Sequence, residues 1–328
     1  MTSNAVLDPV SPHDSADLPP GCPPGCPTGD PGGNPRTIPT NSAILQSREL
    51  KQLGRVLRLV ARISPGLAAK TAGAIFRRPR RHRQPERELA WIKDAERIVL
   101  PYQAPPGAER SAPDKLAALS WGAGPTVLLL HGWEGRASQM AGFVNDLVAK
   151  GLRVVALDAP AHGRSGGKAS SMIEFGAGLS SAQRELGPLH GVVGHSLGSA
   201  STAFAISNGL EVERLAFVSP PFDLDVYFEL FLGVLGLNDD VRNRMVRGYE
   251  RQFGLPWETL RCATVADVRE HELLVVHDRD DQETPFAGAQ AVAERWPKGQ
   301  LHATDGLGHL RILRDGEVHR AVARHMAP

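Results

Sequence analysis

Two short stretches of the sequence have the form Gly-x-Ser-x-Gly, which can present a serine hydroxyl as a nucleophile. They are Gly163-Arg164-Ser165-Gly166-Gly167 and Gly194-His195-Ser196-Leu197-Gly198. A nucleophilic serine of this kind sits on a strained turn, so it needs a strand leading in and a helix leading out. Ser196 has both, because a short apolar run precedes it and a run of small residues with helical character follows it. We therefore predict Ser196 as a nucleophile and Ser165 as a loop residue.

A histidine near the end of the chain is the best candidate for the base that a serine nucleophile needs at neutral pH. Of the 12 histidines, His309 has the most suitable position. It ends the segment Gly306-Leu307-Gly308-His309, which lies between the last predicted strand and the last predicted helix. His302, His319 and His325 fall inside elements or at the tail, which favours structural or exposed roles for them.

An acid is expected to orient this histidine and to stabilise its protonated form. The candidates are carboxylates that follow predicted buried strands: Asp278, Asp280 and Asp281 in one loop, and Asp223 and Asp225 after the preceding strand. Sterics alone do not separate Asp280 from Asp281.

An acyl-transfer site also needs backbone N–H groups directed at the oxyanion that forms in the reaction. We predict one donor at Leu197, directly after the nucleophile. The second is predicted at Trp133, in the loop His131-Gly132-Trp133-Glu134-Gly135 after the first fully apolar strand. The alternative for this loop is a glycine-bounded turn with a core tryptophan. The residues expected around the substrate are Trp133, His195, Phe222 and Tyr227, although the aromatic residues after position 221 fit a cap's own core equally well.

Alternating strand and helix patterns from about residue 96 onward must position these groups. Apolar runs typical of strands covered on both faces occur at Thr126–Leu130 and Arg153–Leu157. Helical spacing covers Ser138–Lys150, Met172–Leu186 and Leu310–Arg324. The alternation predicts an α/β fold, with a mostly parallel sheet, helices on both faces and a helical cap at residues 222–261.

Together these motifs resemble the α/β-hydrolase superfamily over residues 115–328. The matching segments, in order, are His131–Gly135, Leu157–Gly167, Gly194–Gly198, His277–Pro285 and Gly306–His309. The resemblance implies a Ser-Asp-His triad, and the family pattern His-Gly-x-x-Asp-x-x-Val-Pro aligns Asp281 with the acid. The chain departs from that pattern at Asp278, where the family has glycine, and at Thr284, where it has valine. The second segment resembles a loop that family members have after the strand preceding the one that leads to the nucleophile. This accounts for the second Gly-x-Ser-x-Gly match at Ser165 without a catalytic role.

Composition excludes several classes of protein. The 328 residues are 41% hydrophobic and 22% charged, as in ordinary globular proteins. The formal net charge of +1 gives no reason to expect a nucleic-acid partner, and three cysteines are too few for a disulfide scaffold. No apolar stretch is long enough to predict a membrane-spanning helix. The expected chemistry requires no metal and no organic cofactor.

The N-terminal part of the chain has a different character from the rest. Residues 1–41 predict a disordered, Pro/Gly-rich leader without an obvious secretory signal, and Cys22 and Cys26 in it do not form a recognisable metal motif. Residues 42–88 predict a basic amphipathic helical arm, since residues 48–88 hold 12 Lys and Arg against three Glu. Two interpretations stay open: an arm docked on the main domain with a solvated arginine face, or a peripheral membrane contact through residues 42–83. Residues 89–328 form the predicted hydrolase domain.

The predicted function is hydrolysis of a carboxylic ester or thioester of a small-molecule acyl substrate, through an acyl-enzyme on Ser196. A cytoplasmic location, with possible contact at the membrane, is expected. An amidase, a peptidase or a cofactor-free perhydrolase would use the same triad, so these activities are alternatives. A third alternative, suggested by the basic arm, is a non-catalytic, membrane-associated binding protein on a hydrolase scaffold.

Overall fold

A computed structural model describes residues 48–260 and 271–328 of the chain. The predicted leader, with Cys22 and Cys26, and the first residues of the predicted arm lie outside the described residues, as does the segment 261–270 between cap and sheet.

Most of the described chain is organised around one eight-stranded sheet. Its strands are β1 (Glu96–Pro101), β2 (Lys115–Trp121), β3 (Thr126–Leu130), β4 (Arg153–Leu157), β5 (Leu189–His195), β6 (Val212–Val218), β7 (Glu272–Asp278) and β8 (Gly299–Thr304). Their order in the sheet is β1-β2-β4-β3-β5-β6-β7-β8. The pairs β1–β2 and β2–β4 are antiparallel and all other pairs are parallel. The predicted α/β class with a mostly parallel sheet is therefore confirmed.

Helices cover both faces of this sheet and also make up the arm and the cap. They are α1 (Arg48–Ile63), α2 (Pro65–Phe76), α3 (Glu86–Trp91), α4 (Val144–Val148), α5 (Met172–Leu186), α6 (Leu197–Ser207), α7 (Asp225–Leu235), α8 (Asp239–Phe253), α9 (Phe286–Arg295), α10 (Gly308–Arg311) and α11 (Gly316–His325). Shorter 3₁₀ turns occur at Ala137–Phe143, Trp257–Leu260 and Ile312–Arg314. Side chains of β3 alternate between two cores: Leu128 and Leu130 pack with α5 and α9, whereas Val127 and Leu129 pack with α4 and α11. This two-sided burial explains why the strand is apolar from Val127 to Leu130.

Two segments predicted as continuous helices are interrupted. Residues 138–150 begin as a 3₁₀ turn, and there a Cβ on Gly142 would lie 2.8 Å from the carbonyl oxygen of Leu313. The close approach of this turn to the C-terminal segment replaces the regular helix that the spacing predicts. Residues 310–324 are broken at Asp315, whose carboxylate accepts hydrogen bonds from the amides of Glu317 and Val318 and so starts α11 afresh.

The arm helices α1 and α2 pack against the cap helices α7 and α8. Leu57 of α1 and Ala68 and Ala72 of α2 share one apolar cluster with Phe228 and Leu235 of the cap. Helix α1 approaches the end of α7 so closely at Gly54 that a Cβ there would collide with the Leu235 carbonyl group. The inward face of α1 is thus fixed by packing.

A buried ion pair attaches the end of the arm to the main domain. Arg77 Nη2 lies 2.5 Å from Glu174 Oε1 of α5, and both side chains are buried. The Tyr249 hydroxyl of α8 donates to Ser171, which also bonds the Glu174 carboxylate. Arm, cap and sheet are therefore joined by polar as well as apolar contacts.

No helix in the described parts of the chain is long and apolar enough to cross a membrane. The expected cytoplasmic location stays a prediction.

Candidate active site

Ser196 sits on a strained turn between β5 and α6. Its φ is 51° and its ψ is −121°, a left-handed conformation that is unfavourable for a residue with a side chain. Both glycines of the motif are needed by the turn. A Cβ on Gly194 would lie 2.7 Å from the amide nitrogen of Ser199, and one on Gly198 would lie 2.5 Å from the carbonyl oxygen of Leu130. The turn leaves Ser196 partly exposed at the carboxyl end of the sheet.

His309 and Asp281 form a hydrogen-bonded pair on two neighbouring loops. His309 Nδ1 lies 2.8 Å from Asp281 Oδ2. The other carboxylate oxygen of Asp281 accepts hydrogen bonds from the amides of Glu283 at 2.8 Å and Thr284 at 2.9 Å. With Nδ1–H donating to the carboxylate, Nε2 of His309 is left to accept a proton. The acid is buried, while the imidazole is 13% exposed.

The electrostatics of this pair favour an ionised acid. Burial pushes the pKa of Asp281 upward, but the hydrogen bond and charge of His309, the nearby His277 and the Thr284 amide bring it well below its ordinary value. Asp281 is therefore a carboxylate throughout the neutral range, as an acid that orients an imidazolium must be.

The other candidate acids bind different partners. Asp280 accepts the amide of Gly306 at 3.0 Å. Asp278 accepts the Thr304 hydroxyl at 2.7 Å and the Leu307 amide at 3.0 Å. Asp225 accepts the indole N–H of Trp257 at 2.7 Å, and Asp223 accepts the Asp225 amide at 2.9 Å. Among the described residues, His309 contacts no carboxylate other than Asp281.

His195 connects the serine turn to the loop that carries His309. The two rings lie 4.7 Å apart, and His195 Nε2 donates to the His309 carbonyl at 3.0 Å. In the described residues no hydrogen bond joins Ser196 Oγ to His309; contacts of this kind are often long in a free enzyme and shorten when substrate binds. The carbonyl contact holds the loop of His309 against the residue that precedes Ser196.

The loop after β3 lies directly against Ser196. A Cβ on Gly132 would be 2.9 Å from the Ser196 Cβ, so only glycine permits this approach. In the described residues, the amides of Trp133 and Leu197 donate to no backbone carbonyl. Leu197 begins α6, where N–H groups have no intrahelical acceptor. One amide of the loop after β3 and the first amide of α6 thus have no backbone acceptor among the described residues.

Arginine residues from the end of the arm hold this loop, which sequence reasoning missed. Arg80 Nε lies 2.9 Å from Glu134 Oε1, the Arg80 amide donates to the same atom at 3.1 Å, and His82 Nε2 lies 3.1 Å from Oε2. Glu134 has a φ of 57° and follows Trp133 directly. Arg81 donates to backbone carbonyls of the Ser165 loop, including that of Ser165 itself at 2.7 Å. A basic run that sequence alone assigns to a surface therefore clamps two loops at the site.

Thr284 is a second residue that the motif search did not assign. Its hydroxyl donates to Asp281 Oδ2 at 2.8 Å and lies 3.3 Å from His309 Nδ1. Its carbonyl lies 3.1 Å from His277 Nε2, and His277 is itself fully buried. The two departures from the family pattern, Asp278 and Thr284, thus both bind the acid–base pair or its loops. The only sequence signal for them was that departure.

The expected pocket residues occupy different environments. Trp133 is 36% exposed and packs its ring on His162 at 5.1 Å, and Tyr227 donates its hydroxyl to the carbonyl of Glu283 beside Asp281 at 3.0 Å. His195 and Phe222, in contrast, are buried. Phe222 packs in the same core cluster as side chains of β6 and α9. The expectation that these residues lie around the substrate therefore stays a prediction.

Ser165 is held inside its loop. It is buried, its hydroxyl donates to the Asp158 carbonyl at 2.6 Å, and it accepts from the Ala117 amide at 2.9 Å. The first bond stays within the loop, and the second ties the loop to strand β2. Within the described residues, no cluster of His, Cys, Asp and Glu side chains is arranged to hold a metal ion.

Comparison with known protein families identifies the family of the chain. The sequence profile of the alpha/beta hydrolase family matches residues 127–322, well over half of the chain. The chain belongs to the alpha/beta hydrolase family. No curated protein sequence matches it.

Solved structures with a similar fold include esterases and a bromoperoxidase. An esterase from Pyrococcus furiosus is 21% identical, with a TM-score of 0.54, and the alignment covers 76% of this chain and 96% of that one. An esterase from Thermogutta terrifontis is 16% identical, with a TM-score of 0.50 and coverage of 71% and 100%. A bromoperoxidase from Bacillus anthracis is 15% identical, with a TM-score of 0.52 and coverage of 70% and 99%. Similarity at this level of identity supports the fold alone.

Proposed function

We propose that the protein is a serine hydrolase that cleaves a carboxylic ester or thioester of a small-molecule acyl substrate. The observation that carries the proposal is the 2.8 Å hydrogen bond between His309 Nδ1 and the buried, ionised Asp281. His195 holds the loop of His309 beside Ser196, which sits on the strained turn. A hydrolase needs an oriented base, an ionised partner for it and an exposed hydroxyl.

In the proposed reaction, Ser196 Oγ attacks the acyl carbonyl while His309 Nε2 takes the hydroxyl proton. The amides of Trp133 and Leu197 stabilise the oxyanion of the tetrahedral intermediate. The intermediate collapses when His309 returns its proton to the leaving alcohol or thiol, which yields an acyl-enzyme. Water, deprotonated by His309, then cleaves the acyl-enzyme by the same steps in reverse order.

Covalent labelling tests this proposal. A fluorophosphonate probe phosphonylates an activated serine and releases fluoride. We expect labelling of the wild type and of Ser165→Ala, and none of Ser196→Ala. Equal labelling of wild type and Ser196→Ala would refute the nucleophile assignment. Absence of any labelling would favour the non-catalytic alternative.

A substrate panel then separates ester hydrolysis from the alternatives. Acyl esters and thioesters of graded chain length are compared with matched amides, and peroxide-dependent halogenation is measured in parallel. We expect turnover of esters or thioesters that Ser196→Ala abolishes. Turnover confined to amides, or halogenation without ester hydrolysis, would replace the proposal by the amidase or the perhydrolase.

A further inference from the structure

Helix α1 carries a second apolar stripe that faces away from the protein. The inward face, with Leu57 at its centre, is buried against the cap. On the other side, Val56 is 57% exposed, Leu59 59% and Ile63 89%, and Leu67 at the start of α2 is 55% exposed. These apolar side chains are thus left uncovered in the described structure.

The outward stripe is exposed because the contacts of α1 with the cap fix the rotation of the helix. At 100° per residue, Val56, Leu59 and Ile63 lie within one narrow sector of α1, roughly opposite Leu57. The contact of Gly54 with the Leu235 carbonyl and the hydrogen bond of Arg58 Nη1 to the same oxygen at 2.7 Å fix the rotation of the helix. Rotating α1 to bury this stripe would break both contacts.

Cations flank the outward stripe along one side. Lys51, Arg55 and Arg62 are exposed on α1 and have no acidic partner among the described residues. One acidic residue, Glu49, is present on this helix. An exposed apolar stripe beside a row of unpaired cations is complementary to an anionic lipid surface, in which apolar side chains enter the acyl boundary and cations stay among the headgroups.

We propose that the outward face of α1, with Leu67, binds the surface of an anionic lipid bilayer. The helix would lie in the interfacial plane, while its inward face keeps the cap and the candidate site attached. The arginines at the end of the arm have a different role, because Arg77, Arg80 and Arg81 are committed to Glu174, Glu134 and the Ser165 loop. The proposal does not depend on the hydrolase activity.

Vesicle binding of the full-length protein tests the proposal. Sedimentation with vesicles of phosphatidylcholine and phosphatidylglycerol is compared with sedimentation with phosphatidylcholine alone, at low and high salt. We expect binding to the anionic vesicles that high salt weakens. Arg55→Gln/Arg62→Gln should lower the partition constant by roughly 25-fold, because each cation near an anionic surface contributes about fivefold. Leu59→Ser/Ile63→Ser should lower it by about tenfold or more.

Matched controls come from the edge of the sheet. Arg97→Gln/Lys115→Gln removes two exposed cations from β1 and β2, and Val99→Ser removes a side chain that is 63% exposed. These variants should bind like the wild type, and circular dichroism verifies that all variants are folded. Equal binding to neutral vesicles, no binding, or equal loss in the control variants would overturn the proposal. A dimer in light scattering that Leu59→Ser/Ile63→Ser dissociates would also overturn it, because the stripe would then join two copies of the chain.

Discussion

Asp280 and Asp281 are neighbours in the sequence but face different partners. Asp281 bonds the imidazole of His309, whereas Asp280 accepts the amide of Gly306. We predict that Asp281→Asn lowers kcat for the best ester by roughly a thousandfold or more, since the imidazolium loses its ionised partner. Asp280→Asn, the matched control, should keep activity within a few-fold. Steady-state kinetics of the two variants decides, and the reverse ranking would assign the acid to Asp280.

Thr284 places a hydroxyl where the family pattern has an apolar methyl group. Because this hydroxyl donates to Asp281 and lies close to His309, we expect it to position the acid–base pair. Thr284→Val should lower kcat by about tenfold or more with little change in KM, in line with the loss of one hydrogen bond to a charged group. Thr284→Ser should restore kcat. A drop in both variants, or a change confined to KM, would contradict the positioning role.

The segment that ends the arm contacts the candidate active site. Arg80 and His82 hold Glu134, the residue after Trp133. We predict that Arg80→Gln lowers kcat by about fivefold or more, because the Trp133 amide loses its fixed direction toward the oxyanion. Arg83→Gln is the control, since the Arg83 side chain is exposed and has no described ion pair. Glu134→Gln should reproduce the loss, and adding Arg80→Gln to it should have little further effect.

The balance between arm and remainder explains the neutral net charge of the whole molecule. Residues 48–88 carry +9 (12 − 3), so the rest of the chain sums to −8 against the total of +1. The structure places the arm's cations in two different environments. Arg77, Arg80 and Arg81 bind acidic groups and carbonyls of the main domain, whereas Lys51, Arg55 and Arg62 of α1 are exposed.

Buried neutral histidines should make the stability of the whole molecule depend on pH. Burial lowers the pKa of His162 to about 4 and, with the nearby His309, that of His195 to about 3; His131 and His277 shift in the same direction. Below about pH 6.5 the unfolded chain binds protons that these native side chains do not. The free energy of unfolding is therefore highest above that pH, as far as these histidines are concerned, and it falls as the pH drops. Each such histidine contributes a slope of about 1.4 kcal/mol per pH unit between its unfolded and its folded pKa.

His162→Gln isolates one of these histidines. The Nε2 atom of His162 is buried without a hydrogen-bond partner among the described residues, so protonation of this ring is unfavourable in the native state. The variant removes this group. Urea unfolding between about pH 6.5 and 4 should show a slope lower by about 1.4 kcal/mol per pH unit than in the wild type. An unchanged slope would mean that His162 is already protonated in the folded protein.

Much of the fold follows from local pattern. The bounds of β3, β4 and α5 agree with the prediction residue for residue, because uninterrupted apolar runs and helical spacing record burial directly. The helix predicted over 138–150 failed, since a contact with a distant segment, at Gly142, decides its geometry.

The sequence by itself determined the α/β class, and it pointed to Ser196 and His309 through turns whose requirements are local. It left Asp280 and Asp281 unresolved until a family resemblance was used. The tertiary structure alone decided which carboxylate reaches His309, that the arm's arginines hold the loop of Trp133, and which face of α1 stays uncovered. The physical reason is range: periodicity and turn chemistry act within a few residues, whereas Arg80 and Glu134 are 54 residues apart and meet only when the chain has folded.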